Sequence, residues 1–239
     1  MKSSMPYLGI AGPVQKAIFK EALCAHPLGS LEEWARVALE LWRGAEFREE
    51  RYAAIAVTGA SRYRAFNTMA AMPIHEEMIV TGAWWDYVDP IASHQVGDVL
   101  RVEPRRMKPL MRRWAHDANL WKRRTAILSQ LGFKRDTDLE LLYACIEPNL
   151  QDREFFIRKA IGWALRQYAW TNPREVRRYV RQQGTRLSPL STREALKNIA
   201  ASGARRPDRA EPSRAGGSGP APVRRRTKPS HNRTSPDRG

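Results

Sequence analysis

The residues best suited to chemistry lie in Trp84-Trp85-Asp86-Tyr87-Val88-Asp89, a doubly aromatic, doubly acidic stretch in an otherwise basic chain. If this stretch is helical, Trp85 and Asp89 stand one turn apart on one face. An indole plane beside a carboxylate favours a cation, whether a substrate, a transition state or a neighbouring arginine. Pro90 follows Asp89 and biases it away from the helical region. Asp89 therefore also fits the role of N-cap to a helix beginning at Pro90, and both readings stand at this point.

Two further segments carry misplaced charge. In Leu120-Trp-Lys-Arg-Arg-Thr-Ala-Ile-Leu128, the residues Leu120, Ile127, Leu128 and Leu131 define an apolar face. Arg124 falls within that face, whereas Arg123 points elsewhere. An arginine in an apolar register needs an anion to offset its desolvation, either a buried structural partner or a bound phosphate. In Glu154 through Arg166, helical periodicity puts Ile157, Ile161, Ala164 and Tyr168 on one face. Lys159, Trp163 and Arg166 fall on the opposite one. Cations alternating with an indole suit a sugar-phosphate backbone, with charges meeting phosphates and the ring packing on deoxyribose or bases. The plainer reading is a solvated face with one exposed Trp. Gly162, in mid-helix, would allow close approach of a neighbouring helix or a ligand.

These residues must be held by a scaffold drawn from 239 residues that are 42% hydrophobic, enough for one good-sized domain with a tail. A formal charge of +16 points to a polyanionic partner, most often nucleic acid and less often an anionic membrane surface, rather than to a merely solvated surface. Cys24 and Cys145 form no CxxC and read as reduced thiols of a cytosolic compartment. His75-Glu76-Glu77 lacks the second histidine of a zinc motif, so no metal is expected. No segment is apolar enough to span a membrane, and no apolar run follows Lys2 as in a signal peptide.

Taken in order, residues 1–11 read as a loop, and helices are expected over about 13–24, from an N-cap at Ser30 to Gly44, over 46–58 and over 61–70. Leu31, Trp34, Val37, Ala38 and Leu41 share a face of the second. Pro73, Gly82, Pro90, Pro104, Gly132, Pro148, Pro173 and Pro189 then punctuate further short helices, with no β alternation. The pattern predicts an all-α fold of antiparallel helix pairs stacked as a solenoid, better than a four-helix bundle. Residues 201–239 carry ten Lys and Arg against three Asp and Glu, a net +7, which leaves +9 on the rest. This Gly/Pro/Ser/Arg-rich tail is expected to be disordered, with Arg224-Arg225-Arg226 and Lys228 as a non-specific handle on nucleic acid or simply as a solubilising segment.

The three chemical segments, with Lys2-Ser-Ser-Met-Pro-Tyr-Leu-Gly-Ile10 before them and Leu187-Ser-Pro-Leu-Ser-Thr-Arg-Glu-Ala195 after them, occur in the order of a known family. The sequence resembles the AlkD-like DNA alkylation repair family, HEAT-like-repeat DNA glycosylases, over most of residues 1–200. The resemblance implies a right-handed α-solenoid whose concave basic face cradles duplex DNA. It implies release of cationic N3- and N7-alkylpurines such as 3-methyladenine and 7-methylguanine, without the base-flipping pocket usual for glycosylases. It places the catalytic carboxylate on Asp89, paired tryptophans on Trp85 and Trp163, and DNA-contacting arginines on Arg124 and Arg166. Lys159 and Arg123 join these as candidate DNA contacts.

The implied chemistry is coherent. Alkylation at N7 or N3 makes the purine a cationic leaving group, and its departure leaves an oxocarbenium-like sugar. A carboxylate beside C1′ stabilises that charge and orients water, without a general acid, metal or cofactor. A monomer acting on alkylated duplex DNA in the cytoplasm, at the nucleoid, is the expectation. Two features depart from the family. It carries one or two helices before the segment matching Lys2 to Ile10, which points to a late start or a shortened member. Tyr87 is bulkier than the small hydroxyl residue expected there and would alter the lining of the site. The alternatives are a non-catalytic helical-repeat DNA-binding protein and a protein-binding solenoid with a basic face.

Overall fold

The computed structural model describes residues 5–203, with side chains through residue 199. Among these residues there are helices and no strands. The α-helices are α1 (Gly12–Ala25), α2 (Leu31–Arg43), α3 (Arg48–Gly59), α4 (Met72–Gly82), α5 (Trp85–Pro90) and α6 (Gly97–Val102). They continue as α7 (Pro104–Trp114), α8 (Leu120–Leu128), α9 (Leu139–Ile146), α10 (Phe155–Ala169), α11 (Pro173–Gln183) and α12 (Pro189–Gly203). The described residues form one compact unit. The tail read from composition lies, beyond Gly203, outside the described residues.

Short loops join successive helices into pairs: α2 with α3, α4 with the α5–α6 rod, α7 with α8, α9 with α10, and α11 with α12. The second members stack on one another in order. The rod meets α3 on one side and α8 on the other, α8 meets α10, and α10 meets α12 most extensively. First members meet likewise, α2 against α4 and α7 against α9. This is the solenoid that the short, punctuated helices predict. From α2 to α11 the helices bury a stripe against their neighbours, whereas α1 packs on α3 without a buried residue, so the core runs the stack from Trp34 onward.

Local sequence accounts for most boundaries. Ser30 caps α2, its hydroxyl accepting from the Glu33 amide at 3.2 Å. Trp34, Ala38 and Trp42 are the buried stripe of α2, while Leu31, Val37 and Leu41 flank it half-buried. Asn119 caps α8, accepting from the amides of Trp121 at 2.8 Å and Lys122 at 3.3 Å. The leading loop docks on the start of α3. Glu49 there accepts from the amides of Leu8 and Gly9 at 3.0 Å and Ile10 at 3.4 Å, with Gly9 at φ +78. Only a residue tolerant of positive φ lets those consecutive amides converge on one carboxylate.

Two expectations are corrected. The 61–70 helix is instead a pair of 3-10 turns, Ser61–Phe66 and Met69–Ala71. The buried Asn67 between them donates to the Thr58 carbonyl at 3.1 Å and pairs with His75 at 3.0 Å. Side-chain bonds of this kind compete with the helical ladder. The second correction concerns Asp89, which is not an N-cap. It sits inside one rod formed by α5, a π-helical segment Ile91–Val96 and α6. Pro90 is accommodated with φ −62 and ψ −40. The loss of its N–H is absorbed by the wider π turn directly after it, and the Ser93 hydroxyl takes the Asp89 carbonyl at 2.8 Å.

Candidate functional site

The stacking of α5, α8 and α10 brings their chemical residues to one cleft of about 350 Å³. Trp85 and Asp89 come from α5, Arg124 from α8, and Phe155, Phe156, Lys159, Trp163 and Arg166 from α10. Six of the seven residues singled out in the sequence are therefore together.

Asp89 lies at the floor, 6% exposed, and Arg124 beside it is 3% exposed. The guanidinium donates from Nε to Oδ1 at 2.6 Å and from Nη2 to Oδ2 at 2.8 Å, a two-point pairing that fixes the plane of the carboxylate. Its third arm, Nη1, donates to the Phe156 carbonyl at the start of α10. One buried ion pair thus ties three helices together. Burial pushes the Asp89 carboxyl above its ordinary range, while Arg124 pulls it back and the nearby Asp86 charge adds to the rise. The apolar register of Arg124 is explained by this partner. As placed here, Arg124 is engaged by protein on all three arms and is not a free phosphate clamp.

The walls are aromatic and basic. Trp85 is 43% exposed and Phe155 57% exposed at the rim, and Trp163 is half-buried. Phe156 packs against Trp84 at 5.8 Å and Trp121 at 5.1 Å, with the Arg124 guanidinium 5.8 Å from its centroid. Lys159 and Arg166 flank Trp163, one turn to either side, and both are bonded to Glu194 of α12. The predicted division of α10 is largely observed: Ile157, Ile161 and Ala164 are buried and Tyr168 is half-buried, while Lys159, Trp163 and Arg166 face the cleft.

Arg123 is the residue that does not join. It donates to the carbonyls of Asp117 at 2.8 Å and Ala118 at 2.9 Å and pairs with Asp152 at 3.0 Å, which ties down two loops off the cleft. Tyr87 is also absent from the lining. It is buried against Trp42 at 5.6 Å and Tyr52 at 5.3 Å, on the side of the rod away from Asp89. Asp86 is structural, bonded to Arg48 and to the Tyr52 hydroxyl at 2.7 Å.

Sequence reasoning missed Phe155, Phe156 and Glu194. A signal existed for Phe155, which precedes Lys159 by four residues and extends the Lys159–Trp163–Arg166 stripe by a turn. Glu194 carried no local signal. Among the described residues no group of three or more His, Cys, Asp or Glu gathers to hold a metal. Cys24 and Cys145 are unbridged. No described helix is long and apolar enough to cross a membrane.

Fold and cleft together define a helical-repeat protein with a carboxylate set among indoles and cations. The sequence model of the DNA alkylation repair enzyme family matches residues 1–199. The chain belongs to that family, and with it to the repair of alkylated DNA. A predicted DNA alkylation repair enzyme from Enterococcus faecalis is similar at 31% identity over 81% of this chain and 88% of that one, with a TM-score of 0.66. The structure of smu.31 from Streptococcus mutans UA159 is similar in fold alone, at 16% identity and a TM-score of 0.57, over 77% of this chain and 95% of that one. No curated protein matches the sequence.

Proposed function

We propose that the protein is a DNA glycosylase that hydrolyses the N-glycosidic bond of cationic N3- and N7-alkylated purines in duplex DNA. The observation that carries this is the Asp89 carboxylate, buried at the floor of a cleft walled by Trp85, Trp163, Lys159 and Arg166. A buried carboxylate held in one plane acts strongly on charge that develops beside it, because little solvent screens it. The departing alkylpurine takes the bonding electrons and neutralises its own charge. The sugar left behind is oxocarbenium-like, and Asp89 stabilises it and orients the attacking water, whose proton passes through the carboxylate to solvent as the new C1′–O bond forms. Each Asp89 oxygen keeps a lone pair beyond its bond to Arg124, so it has an acceptor site for that water. Indole faces of Trp85 and Trp163 favour the same cation, and Lys159 and Arg166 meet the adjoining backbone phosphate. The leaving group needs no proton. The working unit is a monomer on its DNA, in the cytoplasm.

The test is direct. The protein is incubated with methylated duplex DNA and the free base fraction is analysed. Release of 7-methylguanine or 3-methyladenine is expected, and retention of both in the duplex overturns the reading.

A second reading is a non-catalytic DNA-binding repeat protein, favoured by one observation: both oxygens of Asp89 already accept from Arg124. It predicts duplex binding with no base released.

A further inference from the structure

Among the described residues, Glu194 is the one acidic residue bonded to the cationic wall of the cleft, yet it lies behind that wall and does not line the cleft. Its carboxylate accepts from Lys159 Nζ at 2.8 Å through one oxygen and from Arg166 Nη1 through the other. Its side chain is 11% exposed, whereas those of Lys159 and Arg166 remain 38% and 22% exposed. The Lys159 ammonium first, then Arg166, hold its carboxyl below the ordinary range.

The helix that carries Glu194 is brought close on purpose. Gly162 faces it from α10, and a Cβ there would stand 2.5 Å from Glu194 Cβ and 3.0 Å from the Ser191 carbonyl. Ser191 completes the clasp by donating its hydroxyl to the Arg158 carbonyl at 2.9 Å. Close approach thus delivers a short acidic side chain between two longer basic ones, one turn to either side of Trp163. Each cation keeps donors not used by Glu194: two on the ammonium, four on the guanidinium. With Asp89 and Arg124 cancelling, these three groups leave the wall at +1.

We propose that Glu194 is a positioning residue that presents Lys159 and Arg166 together to one backbone phosphate and keeps the wall from acting as two independent phosphate sites. This rests on the reading that the cleft receives DNA. The carboxylate aligns both cations before DNA arrives, so less side-chain freedom is lost on binding. It also removes one unit of the charge that would otherwise strengthen binding to any duplex.

The experiment measures duplex affinity against salt for the full chain and its variants. Glu194→Gln keeps the shape and removes the charge. Its log–log salt slope is expected to steepen by about 0.9, so that between 50 and 200 mM salt it loses about threefold more affinity than the parent. Glu194→Asp keeps the charge but withdraws it by one methylene. Its slope is expected to match the parent while its affinity falls several-fold, because the cations are no longer aligned. A parental slope in Glu194→Gln, or parental affinity in Glu194→Asp, overturns the proposal. Lys159→Ala and Arg166→Ala serve as controls: flattened slopes show that the wall meets phosphate. If neither flattens, the DNA reading of the cleft fails and takes this proposal with it, a pattern distinct from failure of Glu194 alone.

Discussion

Asp89 and Arg124, thirty-five residues apart, meet through two parallel hydrogen bonds of 2.6 and 2.8 Å at the floor of the cleft. The pair makes one residue both the proposed catalytic group and a structural tie between α5 and α8. Asp89→Asn therefore has two expected effects. Alkylpurine release from methylated duplex falls by at least about a hundredfold, the scale of removing one aimed electrostatic group. Stability falls by about 3 kcal/mol, because a buried guanidinium loses its counter-charge. Duplex affinity stays within a few-fold of the parent. Base release, thermal unfolding and binding, measured on the one variant, check all three. Normal release would remove Asp89 from the chemistry.

Arg124 and Arg166 separate in their response to salt. Because every arm of Arg124 is held by Asp89 and Phe156, Arg124→Gln, which removes the charge, is expected to lower stability and base release while leaving the salt slope of duplex binding unchanged. Arg166→Ala is expected to flatten that slope by about 0.9, the contribution of one phosphate. Equal slopes for the two variants would contradict the division drawn between floor and wall.

Gly162 is expected to reject a methyl group even though alanine favours helix by about 1 kcal/mol. The added Cβ would meet Glu194 Cβ at 2.5 Å and the Ser191 carbonyl at 3.0 Å, so α12 must move away from α10. Overpacking of this kind costs about 1–3 kcal/mol. Gly162→Ala should lower the thermal midpoint and, by pulling Glu194 from Lys159 and Arg166, also alter duplex binding. A raised midpoint would show that the helices have slack.

His75 sets an acid limit on stability. It is fully buried beside Trp34, and burial lowers its pKa to about 4. Its ring pairs through Nε2 with the Asn67 side-chain oxygen at 3.0 Å, so that nitrogen carries the proton of the neutral ring. The folded state holds the ring neutral, whereas the unfolded chain protonates it near pH 6.5. The contribution is complete above about pH 6.5 and is lost progressively as the pH falls towards 4, in total on the order of 3 kcal/mol. Denaturant titrations from pH 7 to 4 should show that slope, and His75→Gln should flatten it.

Much of the site could be read one segment at a time. The stripes on α10 and the odd register of Arg124 follow from 3.6-residue periodicity, which holds wherever a helix forms. Asp89 could not be settled this way. Local preference before Pro90 left the cap reading as good as the site reading, and the tertiary pairing with Arg124 and the π turn after Pro90 decided against the cap. Arg123 and Tyr87 illustrate the same limit. Each stands next to a site residue in sequence, and each points away, because neighbours on a helix differ in direction by about 100°.

By itself the sequence determined the all-helical class, the limits of the second helix through Ser30 and Gly44, the breaks at the prolines, and the set of aromatic, acidic and basic residues available for chemistry. These depend on interactions within a turn or two of chain. Only the tertiary structure decided that Arg124 answers Asp89, that Glu194 stands behind Lys159 and Arg166, and that Gly162 serves a helix contact. Each is a meeting of residues about thirty positions apart, brought together by the stacking of α5, α8, α10 and α12. The strength of a charge pair depends on the separation and burial that such stacking sets, and neither is encoded in the spacing of one segment.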